Sequence, residues 1–138
     1  MVGDRLQAKL VERAARELHD GETIRALVPV QTGPSPYWGG AFGGLGALLA
    51  NNATERLVLV LTDQRLMKLD RQGQGVIFEI GRGDERFRNS RPDLSPGRLS
   101  WGYLRFSFGG PAEKYYFHRR RRAEARSLMA ALLGSATS

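Results

Sequence analysis

Cysteine is absent from the 138 residues. That excludes disulfides, a thiol nucleophile and every thiolate-based zinc or iron–sulfur site, and it gives no sign of an oxidising compartment. Long apolar runs are missing too, since no segment reaches the ~18 consecutive apolar residues of a membrane-spanning helix. The first twenty residues carry mixed charge from Asp4 onward and lack the apolar core of a signal peptide. A cytoplasmic location is therefore expected, with a peripheral position at the membrane as the second option. Asn52-Ala53-Thr54 fits the glycosylation pattern, which carries no weight in a chain expected to stay inside. Lysine is scarce, 3 against 18 arginines, and no basic residue lies between Arg25 and Arg56.

What is present reads as one globular domain over residues 1–138, with 41% hydrophobic and 25% charged residues. Leu6, Leu10, Ala14 and Leu18 recur four apart, which predicts an amphipathic helix over 4–19 with Asp4 as N-cap and Gly21 as its stop. Its polar face mixes both signs of charge, so a docked helix is expected rather than one lying on an anionic membrane. From residue 23 the pattern shifts to short runs rich in β-branched and aromatic residues. They are 23–30, 56–61, 65–69, 75–80, 99–108 and 114–118, with turn residues between them. Connections this short make most neighbouring strands antiparallel. Ala125, Leu128, Met129, Leu132 and Leu133 then predict a closing helix over 119–133, stopped by Gly134. The fold class expected is α+β, mainly antiparallel β: a small barrel or two-sheet sandwich over 23–118 with a C-terminal helix and an added N-terminal helix.

The stretch "VLVLTDQRLMKLD", residues 58–70, carries a resemblance. An apolar strand, then Leu61-Thr62-Asp63-Gln64-Arg65-Leu66, then a second strand resembles the hairpin of bacterial pleckstrin-homology-like (PH-like) and GRAM-like domains. Without the family, Thr62 and Asp63 suit acceptance of backbone N–H groups in a tight turn, Arg65 suits return of a charge to Asp63, and Leu66 re-enters the core. The resemblance covers residues 22–133 and leaves the N-terminal helix outside. It implies a binding or scaffolding module, seldom an enzyme. In the family the loop after the first strand often faces the membrane and, in phosphoinositide binders, carries Lys and Arg. Here that loop has no basic residue.

The same loop contains "PYWGGAFGGLGALLANN", residues 36–52, with five glycines and no charge. It is not a P-loop, because no Lys-Ser/Thr pair follows the glycines. Tyr37, Trp38 and Phe42 suit either a membrane-inserting tip or an interface, Leu45, Leu48 and Leu49 suit packing on the barrel or on a second subunit, and the five glycines equally suit a disordered loop held open entropically.

Two further features stand out. Residues 82–126 hold 12 Lys/Arg and 5 Asp/Glu, so this part of the chain carries the whole net charge of +7. Its focus is His118, Arg119, Arg120, Arg121 and Arg122, with Lys114 before and Arg126 one turn on. Arginines opening a helix oppose the helix dipole, so local stability does not select them. They are candidates for binding an anionic partner, with a solvated basic face as the alternative. Arg119, Arg122 and Arg126 are expected on one helical stripe. In 99–108, alternation places Leu104, Phe106 and Phe108 on one face and Trp101, Tyr103 and Arg105 on the other. The outer row is expected under the N-terminal helix, with a homo-oligomer contact or a base-stacking platform as alternatives.

His19 and His118 lack metal-ligand partners at suitable spacing, and no G-x-S-x-G occurs. The expectation is a non-enzymatic module without metal, catalytic residues or small-molecule cofactor. It binds a protein partner or itself. The alternative is a binder of anionic membrane or nucleic acid through the basic C-terminal helix.

Overall fold

The computed structural model describes residues 2–32, 55–71, 75–90, 92–95, 101–107 and 112–136. Tyr37, Trp38, Phe42 and the rest of 36–52 lie outside the described residues, as does Phe108. Helix α1 spans Val2–Ala15, followed by β1 (Ile24–Thr32), β2 (Glu55–Thr62), β3 (Arg65–Asp70) and β4 (Val76–Gly81). A single helical turn, α2 (Glu85–Arg88), leads to β5 (Asp93–Ser95), β6 (Trp101–Phe106) and β7 (Glu113–His118). A 3-10 turn, Arg119–Arg121, opens the last helix, α3 (Arg122–Ala136). The class is α+β.

The seven strands form one antiparallel sheet in the order β4-β3-β2-β1-β7-β6-β5, and among the described residues its two end strands do not pair. β1 sits in the middle, with β2 in a continuous ladder from Ala26↔Leu61 to Thr32↔Glu55 on one side and β7 on the other. Side chains alternate across a pleated strand, so each strand offers two faces. Ala26, Val28 and Val30 of β1 and Leu57, Leu59 and Leu61 of β2 turn to α3, where they meet Ala125, Leu128, Met129 and Leu132. Leu27, Val58, Val60, Met67 and Leu69 turn the other way and meet Leu10 and Ala14 of α1. Burial on both faces is why 57–61 reads as an unbroken apolar run rather than an alternating one.

The sheet is strongly bent. β4 and β7 are four positions apart, about 19 Å across a flat sheet. Yet Lys68 Nζ of β3 lies 4.8 Å from the ring centre of Phe78 on β4 and 5.3 Å from that of Tyr115 on β7. Lys68 also donates to the Tyr115 hydroxyl at 3.1 Å, which in turn donates to Glu113 Oε2 at 2.7 Å. The bend thus brings two halves of the sheet together around α3.

The β2–β3 hairpin is locked to the segment that follows α1. Thr62 Oγ1 accepts from the backbone N–H groups of Gln64 and Arg65, as its position in the turn demands. Arg65 does not return to Asp63. Its guanidinium takes Glu22 bidentately, with Nε–Oε2 2.9 Å and Nη2–Oε1 3.0 Å, and also meets Glu79. Asp63 instead accepts from Thr23 N at 2.9 Å. The cause is physical: the Glu22 side chain has no exposure to water, and a buried carboxylate requires a paired charge.

Several boundaries move for similar reasons. α1 ends at Ala15 instead of 19, because Arg65 Nη2 captures the Glu17 carbonyl at 2.6 Å and the chain turns through Gly21, φ +77°, to deliver Glu22. α1 begins at Val2, so Asp4 lies inside it and is not its cap. α3 continues through Gly134 to Ala136, and residues 119–121 form a 3-10 turn rather than its first turn. β5 occupies what reads as a loop. Among the described residues no helix is long and apolar enough to cross a membrane.

Candidate interaction face on strands β5 to β7

Alternation along β6 buries Leu104 and Phe106 and turns Trp101, Tyr103 and Arg105 outward, as the residue pattern predicts. The partner strands decide what stands beside them. Register places Trp101 opposite His118, Tyr103 opposite Tyr116 and Arg105 opposite Lys114, while Asp93 and Ser95 of β5 flank Arg105 and Tyr103. The result is a two-column array on one face of the sheet.

The rings in this array touch edge to face. Trp101 and His118 have centroids 5.3 Å apart at 86°, and Tyr103 and Tyr116 are 6.1 Å apart at 68°. Such T-shaped pairs are the favoured aromatic geometry and add about 0.5–1.5 kcal/mol beyond area burial. Lys114 Nζ rests 4.8 Å over the Tyr103 ring, and Arg105 pairs with Asp93 at 3.5 Å across an exposed surface. Trp101, Tyr103, Tyr116 and His118 are half-buried, and Arg105 and Lys114 are exposed.

The N-terminal helix does not cover this row. Leu10 and Ala14 pack on Leu27, Val58, Val60, Met67 and Leu69 of β1 to β3, on the far side of the central strand. Those positions form an apolar surface matched to an apolar helix stripe. The outer surface of β5 to β7 carries Arg105, Lys114 and Asp93, whose charges would lose water under a helix.

The arginine run divides in two. Arg119 and Arg120 are exposed in the 3-10 turn that His118 caps by accepting from Arg120 N through Nδ1 at 3.3 Å. Arg121 is only 12% exposed and pairs with Glu124 at 3.5 Å, and Arg122 is partly buried. Arg126 is exposed on α3. The 3-10 turn takes Arg119, Arg120 and Arg121 out of the closing α-helix, which holds Arg122 and Arg126. Burial, followed by the positive charges of Arg120, Arg119 and Arg121, pushes the His118 imidazole below its ordinary value. His118 is thus a neutral, ring-bearing member of the array at pH 7.

Two clusters escape a reading by sequence alone. One is the Glu22–Arg65 clamp. The other is Lys68, Tyr115 and Glu113, where burial and then the Glu113 hydrogen bond hold the Tyr115 phenol above the usual tyrosine range. The Tyr115 hydroxyl, 1% exposed as a residue, is committed to joining β3 to β7. Arg71 is a third buried cation, donating to the carbonyls of Leu57 at 3.2 Å and Val30 at 3.1 Å. Burial, then Arg56 and Arg121, lowers its pKa below the ordinary arginine value.

No model of a known protein family matches this sequence, and no curated protein does.

Proposed function

We propose that the chain is a non-enzymatic interaction module of the PH-like, GRAM-like kind, whose docking surface is the outer face of β5 to β7. Seven antiparallel strands followed by a C-terminal helix is the order that the resemblance at 58–70 implies, and the bend that brings Lys68 onto Tyr115 supports a barrel-like arrangement. The observation that carries the docking reading is the half-buried aromatic row Trp101, Tyr103 and Tyr116, which lies apart from the residues of β1 to β3 that Leu10 and Ala14 of α1 cover. Aromatic residues with adjacent arginine are the groups that dominate binding free energy at interfaces.

A protein partner or a second copy is the first reading of the ligand. An anionic ligand is the second, favoured by the exposed Arg119 and Arg120 that continue the chain from His118 at one end of the row. A photo-cross-linking residue in place of Tyr103 tests the surface. Adducts are expected in growing cells from that position and not from Ile77, which is 53% exposed on β4 at one end of the sheet order. Equal yield from both, or none from position 103, would remove this face from consideration.

A further inference from the structure

The charges around the row select among ligands. Arg105 and Lys114 stand at one end of the two columns, and Arg119 and Arg120 extend from His118 at the other. Asp93 is the acidic side chain in register with them, already paired to Arg105. The distance from Trp101 to Arg105 along β6 is about 13 Å, four residues at strand rise. A ligand lying along β6 therefore meets cations, then π faces, then cations. An extended acidic peptide would match the charges but leave the ring faces without planar partners.

We propose that this face binds single-stranded nucleic acid, with Trp101, Tyr103 and Tyr116 as the base-stacking groups and Lys114, Arg119 and Arg120 as the phosphate contacts. The inference rests on the docking face proposed above and takes up the second, anionic reading of its ligand by naming the ligand class. Stacking on aromatic side chains beside a basic track is the physical basis of single-strand binding without sequence preference, because every base has a π face. Lys114, which rests over Tyr103, is a flexible cation and turns to a phosphate when a base takes its place on the ring. Neutral His118 fixes Trp101 by its edge-on contact and places the Arg119–Arg120 backbone through its cap. A duplex hides its base faces within the stack and has nothing to offer the row.

The test is fluorescence anisotropy of a labelled oligothymidine of about 15 nucleotides, within the length single-strand binding folds cover. The full chain is titrated at about 50 and about 200 mM salt, with unlabelled duplex and inorganic polyphosphate as competitors. Binding is expected for the single strand, with weak competition from duplex and from polyphosphate at equal phosphate. Trp101→Ala is expected to weaken binding roughly 5- to 150-fold per lost stack, and Trp101→Phe to restore most of it. Arg119→Ser with Arg120→Ser is expected to lower the slope of log K against log salt by about 1.4, two single-strand phosphates. A circular-dichroism melt confirms that each variant is folded.

Absence of binding to the single strand overturns the inference, and so does polyphosphate competing as well as the oligonucleotide. Protein adducts from position 103 alongside no oligonucleotide binding would retain the docking face and reject its ligand class. Loss of both would reject the two together.

Discussion

Glu22 and Arg65 are the pair on which the joint between α1 and the hairpin depends. The Glu22 side chain is 0% exposed and Arg65 9%, and Thr62 Oγ1 and His19 N complete the carboxylate's hydrogen bonds at 2.6 and 2.9 Å. The Arg65 hydrogen bonds, opposed by burial and helped by Thr62 and His19, hold Glu22 at about 2 instead of 4.5. Its folded pKa lies below the unfolded one, so the unfolded chain binds the proton more readily. The stabilisation is complete above pH ~5 and is lost as pH falls towards about 2, amounting to roughly 3 kcal/mol. Urea midpoints measured between pH 6 and pH 2.5 are expected to fall for the native chain, and Glu22→Gln is expected to flatten most of that slope. At pH 7 the same substitution leaves the buried guanidinium with Glu79 as its remaining counter-ion and is expected to cost about 1–3 kcal/mol. Thr62 was legible as a turn acceptor from its place before Asp63-Gln64. Glu22 was not, because 43 residues separate it from Arg65 and no local period links them.

Elements with long runs of regular pattern were legible, and those decided by tertiary contact were not. The strands lie close to the apolar and alternating runs that announce them, since a pleated strand buried on one or two faces imposes that pattern directly. β5 carries only Asp93-Leu94-Ser95, too short to show a period, and the closing helix ignores Gly134 because Leu128, Met129 and Leu132 anchor it on the sheet. The outward row of β6 was readable from alternation. Its pairing with Tyr116 and His118, and the helix that covers β1 to β3 instead, required the register. For α1, Leu10 at 6% exposure is the anchor and Val11 at 40% is not. Leu10→Ala is expected to cost about 2–5 kcal/mol in denaturant unfolding. Val11→Ala is expected to stay within about 0.5 kcal/mol. Equal effects would mean that the helix does not dock through the stripe formed by Leu10 and Ala14.

Across the whole molecule, β1 and β2 are the shared wall of two cores, one with α1 and one with α3. Removing residues 122–138 strips α3 from Ala26, Val28, Val30, Leu57 and Leu59, a contiguous apolar surface. The shortened chain is expected to be largely insoluble on expression, whereas removal of residues 137 and 138 alone is expected to leave solubility unchanged. Fractionation of lysates distinguishes the two. The position of β1 also sets a schedule for synthesis. One of its edges finds β2 as soon as residue 62 has emerged, but the other waits for β7, the last of the seven strands in chain order. During that interval the growing chain presents an unpaired strand edge in the centre of its future sheet, the condition under which partly made proteins aggregate. Productive folding is therefore a race between elongation and misassociation, and the rate of translation through residues 63–118 becomes a determinant of yield.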